Sequence, residues 1–134
     1  RRFNLLGQTS DAMRVWDIRR SIQAVRRVTG LKGTPLWIQA SGTMGINALY
    51  ASLFEDPVTR LDLHDLPTSH SDGPAYPNVL RHTDIPEVTA IAAGRSRCVI
   101  YTDRPDEWTF ATQVKEKLGW EKQFEIRETE PPTK

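Results

Sequence analysis

The segment Trp37-Ile38-Gln39-Ala40-Ser41-Gly42-Thr43-Met44-Gly45-Ile46-Asn47-Ala48-Leu49-Tyr50 joins two apolar stretches through a turn of small residues. Residues 36–39 read as a short buried strand. Residues 43–54 read as a helix that is apolar on nearly all sides, and such a helix persists only when heavily buried. A strand running through a tight turn into a buried helix is the joint of an α/β fold. In α/β enzymes that joint commonly holds a nucleophile or a phosphate.

The rest of the chain supports alternating elements. Thr9 or Ser10 can cap a helix running to about Thr29, with Gly30 ending it. Its stripe is Val15, Ile18, Ile22, Val25 and Val28, spaced by three and four. Residues 58–63 read as a second strand, and 64–84 as a long polar connection of the kind that is usually functional. Residues 85–93 read as a helix with Pro86 in its first turn. Residues 97–101 are a third strand, a helix opens at Asp106-Glu107 and ends at Gly119, and 124–127 are a last strand. This order predicts an α/β fold: a mostly parallel sheet of about four strands with helices on both faces, a Rossmann-like three-layer sandwich. One domain over residues 1–129 and a tail over 130–134 are expected. Sites then fall at the carboxyl ends of the strands.

Composition excludes several classes. The 134 residues carry a formal net charge of +1, so no global field favours nucleic acid or membrane. No apolar run approaches the roughly 20 residues that span a bilayer. One cysteine, Cys98, permits no intrachain disulfide and no multi-cysteine zinc site. A reducing compartment and a disulfide-free exported parent both fit. No cofactor is implied.

The segments Asp17-Ile18-Arg19-Arg20-Ser21-Ile22-Gln23-Ala24-Val25 and Val79-Leu80-Arg81-His82-Thr83-Asp84-Ile85-Pro86-Glu87-Val88-Thr89-Ala90-Ile91-Ala92-Ala93-Gly94-Arg95 carry a resemblance. With the strand–turn–helix between them, they resemble the C-terminal half of an α/β-hydrolase of the bacterial acetyl xylan esterase-like and prolyl oligopeptidase-like branches, over about residues 5–128. The resemblance implies a longer parent protein and ester hydrolysis. It also implies a nucleophile on a strained elbow, an acid after a later strand and a histidine after the last strand.

Against that pattern, counting back from Ala48 puts Gly42 at the nucleophile position, with Ala40 and Met44 where the elbow has glycines and Gly45 at a further small position. A slip of one residue makes Ser41 the nucleophile, in Gln39-Ala40-Ser41-Gly42-Thr43; the alternative role for Ser41 is to cap the following helix. Asp103 or Asp106 would be the acid. No histidine follows 124–127. The chain's histidines are His64, His70 and His82, of which His64 and His70 can reach the carboxyl edge of the sheet. The sequence therefore predicts a degenerate hydrolase domain with a structural or regulatory role. Its partner would be a second copy or the N-terminal part of the parent, since a half-sheet leaves an open edge.

Alternative readings use the same residues. One is an active esterase with a rewired Ser41/His70 site, acting on a small ester or carbohydrate. Another is an anion- or nucleotide-binding module using the Gly42–Gly45 turn, with Asp62 or Asp65 on a ribose. His64, Asp65, His70 and Asp72 are metal-ligand types without a standard spacing. Arg14, Arg19, Arg20, Arg26 and Arg27 form a basic helix face, read as solvated or packed on a neighbour. Trp16, Trp37, Trp108 and Trp120 read as mostly core-facing.

Overall fold

The computed structural model describes residues 8–129, so the expected tail over 130–134 lies outside the described residues. The elements are α1 (Ser10–Arg27), β1 (Trp37–Ser41), α2 (Gly42–Leu53), β2 (Arg60–His64), α3 (Ile85–Ala93), β3 (Arg97–Tyr101), α4 (Thr109–Leu118) and β4 (Phe124–Arg127). The four strands form one sheet in the order β1-β2-β3-β4, with every pair parallel. The fold is thus α/β with a parallel sheet of four strands, as the alternation predicts.

Local chemistry sets the ends of the helices. Thr9 Oγ1 accepts the Ala12 N–H at 3.1 Å and starts α1. Asp84 and Glu87 make a reciprocal capping box at the start of α3. Gly119, at φ +67°, takes the left-handed conformation that ends α4.

Parallel neighbours in sequential order, joined by crossovers of one hand, bring α2, α3 and α4 to the same side of the sheet. There α2 packs between α1 and α3, and α3 packs on α4. Leu61 and Leu63 of β2, Cys98 and Ile100 of β3 and Phe124 of β4 face this layer. They meet Ile46 and Leu49 of α2, Ile85 and Val88 of α3, and Trp108. Each such leucine or isoleucine, fully buried, contributes roughly 1.5–3 kcal/mol. The other face carries Trp37, Gln39, Ser41, Arg60, Asp62, His64, Arg97, Val99, Tyr101, Glu125 and Arg127, by the alternation of side chains along each strand.

Several sequence expectations need correction. β1 is an edge strand, and Trp37, Gln39 and Ser41 alternate as exposed residues instead of being buried. Trp37 is 62% exposed and Trp16 is 49% exposed, while Trp108 is fully buried. Trp37 stands on the polar face of the sheet, and Trp16 lies under the Arg20 guanidinium at 4.0 Å on the outer side of α1. Of the α1 stripe only Ile22 is buried, because α1 meets its neighbours along a narrow seam. The basic face of α1 is partly committed: Arg19 binds Glu55 at 2.7 Å, and Arg26 donates to the carbonyls of Asp56 and Pro57.

Candidate functional site

The β1–α2 turn passes from extended to left-handed backbone within two residues. Ser41 ends β1 with extended backbone, at φ −133° and ψ 156°. Gly42, the next residue, sits at φ +54°, where a side chain is strained. A Cβ placed on Gly42 would meet nothing within 4 Å. Backbone conformation, and not crowding, therefore selects glycine here. Gly45 is small for the opposite reason: a Cβ there would run into Leu66 Cδ2. Ser41 does not cap α2 with its side chain, contrary to that expected role.

Register assembles a polar row at the carboxyl end of the sheet. Ser41 pairs with His64, His64 with Tyr101, and Tyr101 with Arg127. The His64 ring stacks on Tyr101 with centroids 4.2 Å apart and planes 5° apart. The Gln39 amide nitrogen lies 3.1 Å from His64 Nε2, a bond that a neutral imidazole protonated on Nδ1 accepts. Arg60 and Arg127 each place a guanidinium nitrogen 3.4 Å from Tyr101 Oη.

The charges of the face are paired. Arg60 binds Asp62 at 2.7 Å. Glu125 accepts from Arg127 and Arg97, each at 2.8 Å, and these bonds pull its carboxyl down to about 2. A cavity of about 410 Å³ opens over the row, lined by Gln39, Asp62, His64, Tyr101, Arg127, Glu128 and Thr129. Such a lining offers hydrogen bonds and an aromatic floor to a polar molecule.

The other sequence-derived candidates lie elsewhere. His70 is buried in the β2–α3 connection. Its Nε2 is 2.9 Å from Tyr50 Oη and its Nδ1 is 3.1 Å from the Pro74 carbonyl, so both ring nitrogens are engaged. Asp84 accepts the His70 N–H at 2.7 Å. Burial raises the Asp84 carboxyl, but the hydrogen bonds from His70, Ser69 and Ile85 outweigh it and leave it below the ordinary value. Asp103 and Asp106 are exposed, Asp103 just after β3 and Asp106 in the 3₁₀ turn Pro105–Trp108. Among the described residues no hydrogen bond or ion pair joins Ser41, His70, Asp103 and Asp106 to one another.

His64, Asp65, His70 and Asp72 do not converge: among the described residues no three His, Cys, Asp or Glu are grouped to hold a metal ion. Of the carboxylates considered for a ribose, Asp62 is held by Arg60 and Asp65 accepts from Thr129 Oγ1 at 3.3 Å.

Gln39, Tyr101, Arg127 and Thr129 were not among the candidates read from sequence. The signal for Gln39 and Arg127 is a polar alternation at 39/41, 60/62/64 and 125/127, which marks one polar sheet face. Comparison of the chain with family models, with curated proteins and with solved structures yields no match to any of them.

Proposed function

We propose that this chain is a non-catalytic, α/β-hydrolase-like domain with a structural or regulatory role in a longer, acetyl xylan esterase-like protein. One observation carries the reading. The residue with left-handed backbone at the β1–α2 turn is Gly42, which has no side chain with which to attack an ester. An elbow nucleophile stands on such a strained strand-to-helix turn with its oxygen exposed above the sheet. The open space around Gly42 is where that oxygen would project.

Two further features support the reading. His70, the histidine of a rewired site, has both ring nitrogens engaged by Tyr50 and Pro74. Ser41 Oγ makes no capping bond, and its register partner His64 is stacked on Tyr101 and bonded to Gln39. A base must lie within hydrogen-bond reach of the hydroxyl that it activates.

Exposure of the folded chain to a fluorophosphonate probe tests the proposal. The expected result is no labelling and no turnover of p-nitrophenyl acetate. Labelling at Ser41 that disappears in Ser41→Ala would overturn it in favour of an active serine esterase.

A further inference from the structure

The sheet has two edges of different character. β4 carries Glu125 and Arg127, paired with each other, and Glu125 also binds Arg97. Charges of this kind blunt an edge against pairing. β1 is Trp37-Ile38-Gln39-Ala40-Ser41: no charge, no proline and a regular register with β2. Among the described residues none of the usual protections of an edge strand is present. α1 packs on α2 and makes no comparable contact with β1.

Burial tells the same story on the apolar face. Ile38 and Ala40 stand in register with Leu61 and Leu63 of β2. Both leucines are fully buried, whereas Ile38 and Ala40 are half-buried. The helix layer leaves the outer flank of β1 uncovered, and a further strand beside β1 would cover it.

We infer that the β1 edge pairs with β1 of a second copy of this chain, antiparallel about a twofold axis at Gln39. The sequence of the strand is self-complementary in that register. Trp37 falls opposite Ser41 of the second copy, and Ile38 opposite Ala40, so a large side chain meets a small one at each position. Gln39 meets Gln39, whose amide both donates and accepts. Directly opposed side chains are the unit of stabilisation in an antiparallel pair. The result is a continuous sheet of two copies, an isologous contact of the commonest symmetry. The inference deepens the partner side of the proposed function by naming the edge and its occupant, and it does not depend on the elbow being inactive.

Sedimentation over micromolar to near-millimolar concentrations tests the pairing. The wild type is expected to dimerise. Gln39→Lys and Gln39→Glu each place like charges face to face and should raise the dissociation constant by about fivefold to tenfold. An equimolar mixture of the two should recover dimer as a heterodimer. Gln39→Cys gives a second readout, a cross-link through residue 39 on oxidation, because the native Cys98 is buried. A wild type that stays monomeric would overturn the inference. So would charge variants that dimerise like wild type, a mixture without recovery, or a dimer that does not cross-link. Probe labelling of Ser41 would end the non-catalytic reading and leave this pairing intact.

Discussion

His70 Nε2 stands 2.9 Å from Tyr50 Oη, and this contact straps the β2–α3 connection to the outside of α2. The strap has other buckles. Tyr76 Oη donates to Asn47 Oδ1, one turn before Tyr50 on α2. The Ala75 N–H donates to Asp11 on α1 at 3.0 Å. Tyr76 packs edge to face on Tyr50 and His70, whose own rings are tilted against each other, with centroids 4.7 to 5.5 Å apart. A long polar connection is thereby tied to both α1 and α2.

Removing that histidine should cost stability. His70→Ala leaves Tyr50 Oη and the Pro74 carbonyl without their partner and opens a gap between two aromatic rings. The expected loss is about 2–3 kcal/mol. Tyr50→Phe removes only one bond and should cost about 1 kcal/mol. Urea unfolding at unchanged m-value measures both. The double variant should lose less than the sum, because the two residues share one hydrogen bond.

Alkaline pH should destabilise the fold. Burial, and then the Asp84 charge, pushes the Tyr50 phenol from 10.0 up to about 12. Burial pushes the Cys98 thiol from 9.0 up to about 12. Both groups are held protonated by the fold, so the unfolded chain releases their protons first. Their contribution is complete below pH 9 and is lost progressively as pH rises from 9 towards 12. Melting temperature should fall across that range. Burial raises the Tyr76 phenol as well, so Tyr50→Phe should make the fall between 10 and 12 shallower without abolishing it, and Cys98→Ala should do the same for the part that starts at 9.

Gly45 is a packing glycine. Gly45→Ala gains helix propensity of about 1 kcal/mol but drives a methyl into Leu66, itself fully buried. Overpacking of this kind costs about 1–3 kcal/mol, so the net change should be a destabilisation of about 1 kcal/mol. Shortening Leu66 should relieve it. A double-mutant cycle of Gly45→Ala with Leu66→Ala should show a favourable coupling, read from denaturant midpoints.

Much of this was legible in the chain. The helix with Pro86 in its first turn, the helix-ending Gly119 and the all-round apolar α2 are local signals, and each lies where local chemistry puts it. The surroundings of Trp37, Trp16 and His70 were not legible. Trp37 looked buried because an apolar run reads the same on an edge strand as on a central one, and position in the sheet is a non-local fact. Trp16 sits within a helical apolar pattern, yet α1 meets its neighbours along a narrow seam only. His70 finds Tyr50 across 20 residues, and Tyr76 finds Asn47 across 29. No periodicity within a short window encodes such partners. The row Ser41–His64–Tyr101–Arg127 was half-legible: polar alternation marks a face, but register alone brings the four into line.

Placing a serine at the β1–α2 turn separates backbone from chemistry. In Gly42→Ser the new side chain meets no steric obstacle, since nothing lies within 4 Å of its Cβ. It must still hold φ +54°, a conformation that costs an L-residue about 1–2 kcal/mol. The variant should therefore fold, with stability lowered by about that amount in urea. Its hydroxyl would project above the carboxyl end of the sheet, yet His64 is held by Gln39 and Tyr101 and His70 by Tyr50 and Pro74. A serine with no base in reach stays a poor nucleophile. Fluorophosphonate labelling of Gly42→Ser should thus remain at background. Rapid labelling would show that one of these imidazoles leaves its partners to serve the new hydroxyl, and the variant His64→Ala or His70→Ala that abolishes it would identify which.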